Sequence, residues 1–152
     1  MTPGSVKRVV VADKVALIRR LLDGIATLPL DDLRDFQRDQ RMVAAAESYL
    51  RRALEALLDI ARHVLAKGFG RGAAEYAEVA RQLGDVAVVS RDQAERLLLM
   101  ARYRNRLVHV YDEVTETELY DILTRHLGDI PEVVDAITDW MAAHPDRVSD
   151  EE

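Results

Sequence analysis

Apolar residues recur at a helical interval over the longest periodic stretch of this chain, and that pattern constrains the fold most. Between residues 31 and 67 they are spaced by threes, fours and a seven, which places them on one face of an α-helix. The members of this face are Phe36, Val43, Ala46, Leu50, Leu54, Leu57, Ala61 and Leu65. Asp31 or Asp32 can cap the first turn. The pattern therefore predicts one long amphipathic helix from about residue 31 to about residue 67.

The other helices are predicted from the same periodicity and from the residues that begin and end them. Their ranges are 6–28, 73–83, 90–111 and a last run from 115 to 143. Ser90 with Gln93 three residues later forms a capping box. The only glycine cluster, 67–72, matches no phosphate-binding spacing and is predicted to be a helix C-cap and turn. The stretch 84–89 has a strand-like composition, but the sequence offers it no partner strand.

The composition agrees with a helical protein. Hydrophobic residues make up 49% and charged residues 32%, whereas aromatics make up only 5%, with 7 glycines and 4 prolines. Strand-forming aromatics and turn residues are thus too scarce for a sheet protein. We predict an all-α antiparallel bundle of about five to six helices in one domain over residues 1–145, followed by an acidic C-terminal tail at 146–152.

The absence of cysteine excludes disulfides, thiolate metal sites and a cysteine nucleophile. No apolar run approaches the ~18 residues of a membrane span, and the N-terminus has no signal-peptide core, so we expect a cytoplasmic protein. The histidines show no metal-ligand spacing, and we expect neither a metal nor a cofactor. The net charge of -6 argues against unspecific coating of nucleic acid, but residues 90–111 carry an excess of arginine that allows a local basic site.

The segment 104–111 reads Arg-Asn-Arg-Leu-Val-His-Val-Tyr, and it concentrates groups that bind and cleave a phosphodiester. Arg104 offers a permanent charge with fork-shaped donors, and His109, with an unperturbed pKa of about 6.5, can act as acid or base near neutrality. Arg104 falls near the middle of the apolar face of its helix, where an unpaired cation is costly. It therefore needs a carboxylate such as Glu55 or Asp59, or a position in a cleft or interface.

The neighbouring face of the same helix carries Asn105 and His109 one turn apart, with Arg102 and Arg106 close by. In a straight helix Arg104 and His109 are about 140° apart and cannot contact one phosphate from the same side. The helix can be distorted near its end, the long arginine can wrap around it, or two motifs can face each other across a two-fold dimer. The apolar surroundings of Arg104 favour the dimer.

An arginine followed directly by asparagine, then histidine five residues after the arginine and tyrosine two further on, resembles the signature of the HepT family. These proteins are toxin ribonucleases of the HEPN superfamily. The likeness extends over about residues 5 to 140, and it includes the segments 45–63, 73–83 and 120–127. Tyr103 is a departure, because many members have glycine there, and its larger side chain would narrow a cleft.

The resemblance implies a helical-bundle homodimer that cleaves RNA without a metal ion in a cleft shared by its two motifs. Arg104 and His109 would be catalytic, and Asn105, Arg102 and Arg106 would bind or support the substrate. RNA supplies its own nucleophile, the 2′-hydroxyl, so the protein need only deprotonate it and stabilise the phosphorane.

The resemblance also implies a partner in a type II toxin–antitoxin system: an MNT-type antitoxin, which is a minimal nucleotidyltransferase. Such partners transfer AMP to the tyrosine of the signature, here Tyr111, and the added charge and bulk would block an anionic substrate. Two alternatives stay open from the sequence. The chain could be a non-catalytic helical partner of the nucleotidyltransferase, or a substrate-binding subunit for one that acts on small molecules.

Overall fold

The computed structural model describes residues 4–109 and 114–151, and this part of the chain is mainly helical. Its helices are α1 (Arg8–Ala26), α2 (Leu33–Arg38), α3 (Gln40–Phe69), α4 (Tyr76–Asp85), α5 (Arg91–Val108), α6 (Glu116–Asp121) and α7 (Asp129–Ala143). A π-helical turn, Ile122–His126, follows α6, and a 3-10 turn, Pro145–Arg147, follows α7. The predicted all-α class is confirmed. None of the described helices is long and apolar enough to cross a membrane.

The helix predicted over residues 31–67 is in fact two helices, because the backbone is extended at Asp39. The Asp39 side chain accepts a hydrogen bond from the backbone N–H of Arg41 and so caps the start of α3. Asp32 caps α2 by accepting from the N–H of Asp35, which confirms one of the two predicted caps. The apolar spacing continues through the break without interruption, so it gave no sign that the helix ends there.

Helix α3 lies at the centre of the core and packs against α1, α2, α4, α5, α6 and α7. Its buried residues are Val43, Ala46, Leu50, Ala53, Leu54, Ala56, Leu57, Leu58, Ile60, Ala61, Val64, Leu65 and Gly68. The helix ends where Gly70 takes the left-handed conformation with φ of 64°, as predicted for the glycine cluster. The residues along α3 are therefore fixed in place on several sides, which makes the helix a rigid base for polar side chains on its surface.

The connection between α4 and α5 is a tight turn and not a strand. Within the stretch 84–89, Ala87 adopts a φ of 61°, and the chain then enters the cap of α5. Ser90 accepts a hydrogen bond from the Gln93 N–H, and the Gln93 side chain accepts one from the Ser90 N–H, so the predicted capping box is confirmed. Helix α5 ends at Val108, earlier than predicted.

Two short parallel strands join the ends of the described chain. Strand β1 (Val6–Lys7) pairs with β2 (Val148–Ser149). An ion pair of 2.6 Å between Arg8 and Asp150 lies beside them. The segment predicted as an acidic tail, 146–152, is thus held against the helical domain where the structure describes it.

Candidate active site

The end of α5 determines where His109 lies. The last helical residue is Val108, and His109 has an extended backbone with φ of −95° and ψ of 121°. Its N–H still donates to the carbonyl of Asn105, at 3.1 Å, so the ring remains close to the last turn of the helix. The angle of about 140° expected between Arg104 and His109 describes the directions in which the two residues leave the helix, and it does not fix where the ends of their side chains lie.

Arg104, Asn105 and His109 line one cleft of about 560 Å³ in the single chain. The complete lining of this cleft, called the Arg104 cleft below, is Arg62, Ala74, Glu75, Tyr76, Arg104, Asn105 and His109. The side chains come from α3, from the start of α4 and from the end of α5. The two groups therefore reach one opening within one protomer, without a contribution from a second copy of the chain.

The Arg104 side chain is only 25% exposed, and it is held mainly by an aromatic ring. Its guanidinium carbon lies 4.9 Å from the ring centroid of Tyr76, and its NH1 donates to the side-chain oxygen of Asn105 at 3.3 Å. Glu55 is 3.7 Å from the Arg104 Nε, but it accepts a shorter bond of 2.7 Å from Arg51. The buried Nε makes no hydrogen bond within the described residues. Within the described residues Glu55 is the carboxylate paired with this cation, at a distance longer than a hydrogen bond, so the guanidinium keeps donors that can bind an anion.

Tyr76 and Arg62 are site residues that the sequence did not reveal. The Tyr76 hydroxyl donates to Asp59 at 2.8 Å, and burial, followed by this bond, raises the pKa of the phenol, so it stays protonated. The guanidinium carbon of Arg62 lies 4.7 Å from the same ring. Arg62 also donates to the carbonyls of Ala73 at 3.2 Å and Ala74 at 2.9 Å. These contacts join elements that are separate in sequence, and no local motif signals them.

Arg102 and Arg106 lie away from the Arg104 cleft. Both line a mostly apolar groove of about 330 Å³ between α3, α5, α7 and the π-helical turn. Arg106 donates to Glu118 at 2.8 Å, and this hydrogen bond lowers the pKa of the carboxyl. Tyr103 also lines the groove, and burial raises the pKa of its phenol. Tyr103 is not among the residues lining the Arg104 cleft, so the narrowing expected from its size does not occur there.

Tyr111, the predicted modification site, lies outside the described residues. Among residues 4–109 and 114–151, no group of three or more histidine, aspartate or glutamate side chains is arranged to hold a metal ion. The described part of the Arg104 cleft thus presents the predicted catalytic pair, Arg104 and His109, and the neighbouring Asn105. It also presents the polar side chains of Arg62, Tyr76 and Glu75.

Comparisons with known proteins bear on the whole helical domain. A family model described as Ribonuclease HepT-like matches residues 15–137. The chain is 23% identical over 137 residues to a tRNA nuclease HepT of Aphanizomenon flos-aquae (strain 2012/KM1/D3), which covers 90% of this chain and 93% of that protein.

Solved structures share the fold. One is a tri-AMPylated Shewanella oneidensis HEPN toxin in complex with MNT antitoxin, with a TM-score of 0.79 and 23% identity, covering 86% of this chain and 97% of that chain. Another is YutE, a cytosolic protein of unknown function from Bacillus subtilis, with a TM-score of 0.75 and 18% identity, covering 93% of this chain and 94% of that one.

Proposed function

Because the chain belongs to the HepT-like ribonuclease family, as the 104–111 signature predicted, we propose that it is the toxin of a HepT/MNT toxin–antitoxin pair. It cleaves RNA in the cytoplasm without a metal ion. The observation that carries this proposal is the single cleft lined by Arg104, Asn105 and His109. The relative from Aphanizomenon flos-aquae is named a tRNA nuclease, so tRNA is the first substrate to test.

The chemistry follows from the side chains in the cleft. The imidazole of His109 takes the proton of a 2′-hydroxyl, whose oxygen attacks the adjacent phosphorus. Arg104 donates to the non-bridging oxygens, whose negative charge grows in the phosphorane. The bond to the 5′-oxygen then breaks, that oxygen takes up a proton, and a 2′,3′-cyclic phosphate remains. Asn105, which accepts from Arg104, orients the guanidinium toward the phosphate.

The same chemistry gives a reason for a homodimer, which is part of the proposal. One histidine in each cleft can accept a proton but cannot also hold a second one for the leaving oxygen at the same moment. A second protomer related by two-fold symmetry would bring its own His109 toward the shared substrate and supply that proton. Arg102 and Arg106 lie on the groove side of α5, and in this proposal they contact more distant parts of the bound RNA.

The decisive experiment compares His109→Ala with the wild type on tRNA in EDTA. We expect the wild type to cleave and His109→Ala to lose about 10²- to 10⁴-fold in rate. His144→Ala is the matched control. The His144 ring stacks on Trp140 at the carboxyl-terminal end of α7 and lies outside the Arg104 cleft. A wild-type protein that cleaves only with a divalent metal ion would contradict the proposed mechanism.

The proposed partner is an MNT-type nucleotidyltransferase that transfers AMP to Tyr111. The similar Shewanella oneidensis toxin is described as tri-AMPylated and in complex with MNT antitoxin, which supports this partner class. Mass spectrometry after co-expression should show added adenylyl groups on the wild type, and fewer on Tyr111→Phe. If the nucleotidyltransferase binds but the unmodified chain cleaves no RNA, the chain is instead a non-catalytic partner.

A further inference from the structure

The Arg62 guanidinium is held by neighbouring groups, yet its hydrogen bonds to described residues do not use all of its N–H donors. A guanidinium carries five N–H donors. Two of the nitrogens of Arg62, Nε and NH2, donate to the backbone carbonyls of Ala73 and Ala74. Its NH1 lies 3.7 Å from Asp59, which is an ion-pair distance but longer than a hydrogen bond. The side chain is 39% exposed and lines the Arg104 cleft, so the remaining N–H groups are within reach of a ligand.

Two cations share one aromatic ring in this cleft. The guanidinium carbons of Arg62 and Arg104 lie 4.7 Å and 4.9 Å from the centroid of the Tyr76 ring. The NH1 of Arg62 lies 3.7 Å from Asp59, and the Nε of Arg104 lies 3.7 Å from Glu55. Neither carboxylate lines the cleft. Among the described residues, the acid that does line it is Glu75. Two like charges that lie against one ring repel each other, and anionic groups bound to them would relieve the repulsion.

We propose that Arg62 binds a phosphate of the RNA next to the scissile one, while Arg104 binds the scissile phosphate. This inference rests on the proposed ribonuclease function. An RNA strand carries one negative charge per nucleotide, so a strand that enters the cleft presents a second phosphate to a second cation. The contact is made in the bound ground state as well as in the transition state, so it stabilises substrate binding more than the chemical step.

The alternative is that Arg62 only ties the segment after α3 to that helix through Ala73 and Ala74. Two substitutions separate the alternatives. Arg62→Lys keeps the positive charge and loses the planar fork, whereas Arg62→Gln loses the charge and keeps a short N–H donor. Arg19→Gln removes the same charge from an exposed position on α1 that does not line the cleft, and it serves as the control.

The test measures binding of a tRNA transcript by each variant in a His109→Ala background over a range of KCl concentrations. We expect Arg62→Gln to weaken binding roughly tenfold. We also expect it to reduce the slope of log affinity against log salt by about 0.7 to 0.9, which is one phosphate contact. Arg62→Lys should keep most of the slope, and Arg19→Gln should keep the slope and the affinity. In the active background, Arg62→Gln should raise KM and leave kcat near the wild-type value.

Each contrary result has a separate meaning. If the wild type cleaves tRNA but Arg62→Gln and Arg19→Gln show equal salt slopes, the proposed role of Arg62 is wrong. The ribonuclease proposal then remains intact. Equal losses of affinity in Arg62→Gln and Arg62→Lys, accompanied by a lower melting temperature in both, would show that Arg62 acts only by holding the loop. A wild type that neither binds nor cleaves RNA overturns both proposals.

Discussion

The ring of Tyr76 should matter more for activity than its hydroxyl. The hydroxyl makes one hydrogen bond of 2.8 Å, to Asp59, and the ring lies within 5 Å of the guanidinium carbons of Arg62 and Arg104. Tyr76→Phe removes the hydrogen bond and keeps the ring, whereas Tyr76→Leu removes both. The two variants therefore separate the two contributions.

The expected magnitudes follow from these contacts. A hydrogen bond to a buried charge is worth about 1.5–3 kcal/mol, but Asp59 is 35% exposed and water can replace part of the bond, so Tyr76→Phe should lower the free energy of unfolding by about 1 kcal/mol. Each cation–π contact contributes about 0.5–1 kcal/mol at a partly exposed site, so Tyr76→Leu should cost about 2–3 kcal/mol in total. Urea unfolding measures both values.

The activity assay gives the sharper result. Tyr76→Phe should cleave RNA with a kcat/KM close to that of the wild type, because Arg104 keeps its ring. Tyr76→Leu should lose at least about tenfold in kcat/KM, because a misplaced guanidinium stabilises the transition state less well. Wild-type activity in Tyr76→Leu would refute the argument, and so would equal losses of activity in the two variants.

Three further predictions concern the scaffold. Gly84→Ala should lower the free energy of unfolding by about 1–3 kcal/mol in chemical denaturation, because the new Cβ would meet the Ala94 side chain at 2.6 Å. The control Gly128→Ala places its Cβ in open space and should leave that free energy nearly unchanged. Burial lowers the pKa of His63, whose neutral ring accepts a 3.0 Å bond from β1, so the unfolded chain takes up the proton first. The neutral His63 ring therefore stabilises the fold above about pH 6.5, and this contribution is lost as the pH falls through the folded-state pKa. The free energy of unfolding should then change less between pH 8 and pH 5 in His63→Gln than in the wild type, as measured by denaturation at each pH. Ser90→Ala removes the side-chain cap of α5 and should lower the free energy of unfolding by about 1 kcal/mol. Circular dichroism should show this loss as a lower melting temperature.

Much of the fold could be predicted because its determinants are local. The apolar spacing along α3, the capping box that starts with Ser90 and the glycine that ends α3 at Gly70 each depend on residues a few positions apart. The break at Asp39 was missed for a related reason. An aspartate can lie on the polar face of a continuous helix or cap a new one, and the apolar pattern is the same in both cases.

The geometry of the site depended on features that no local pattern carries. Arg104 and His109 can be identified as chemically competent groups from the sequence, but the angle between their positions on a helix did not show that their side chains reach one opening. Arg62 and Tyr76 belong to α3 and α4, on either side of a loop. Their contact arises only when the helices pack, so it could not be predicted from spacing.

The pairing of β1 with β2 also has a mechanical consequence. The two strands run in the same direction, so the amino-terminal segment enters the pair at one end and the carboxyl-terminal segment leaves it at the other. Tension applied between the two segments would slide the strands past each other and load their hydrogen bonds together, instead of peeling them off one at a time. A machine that unfolds the protein from either terminus would therefore meet its first resistance at this small sheet.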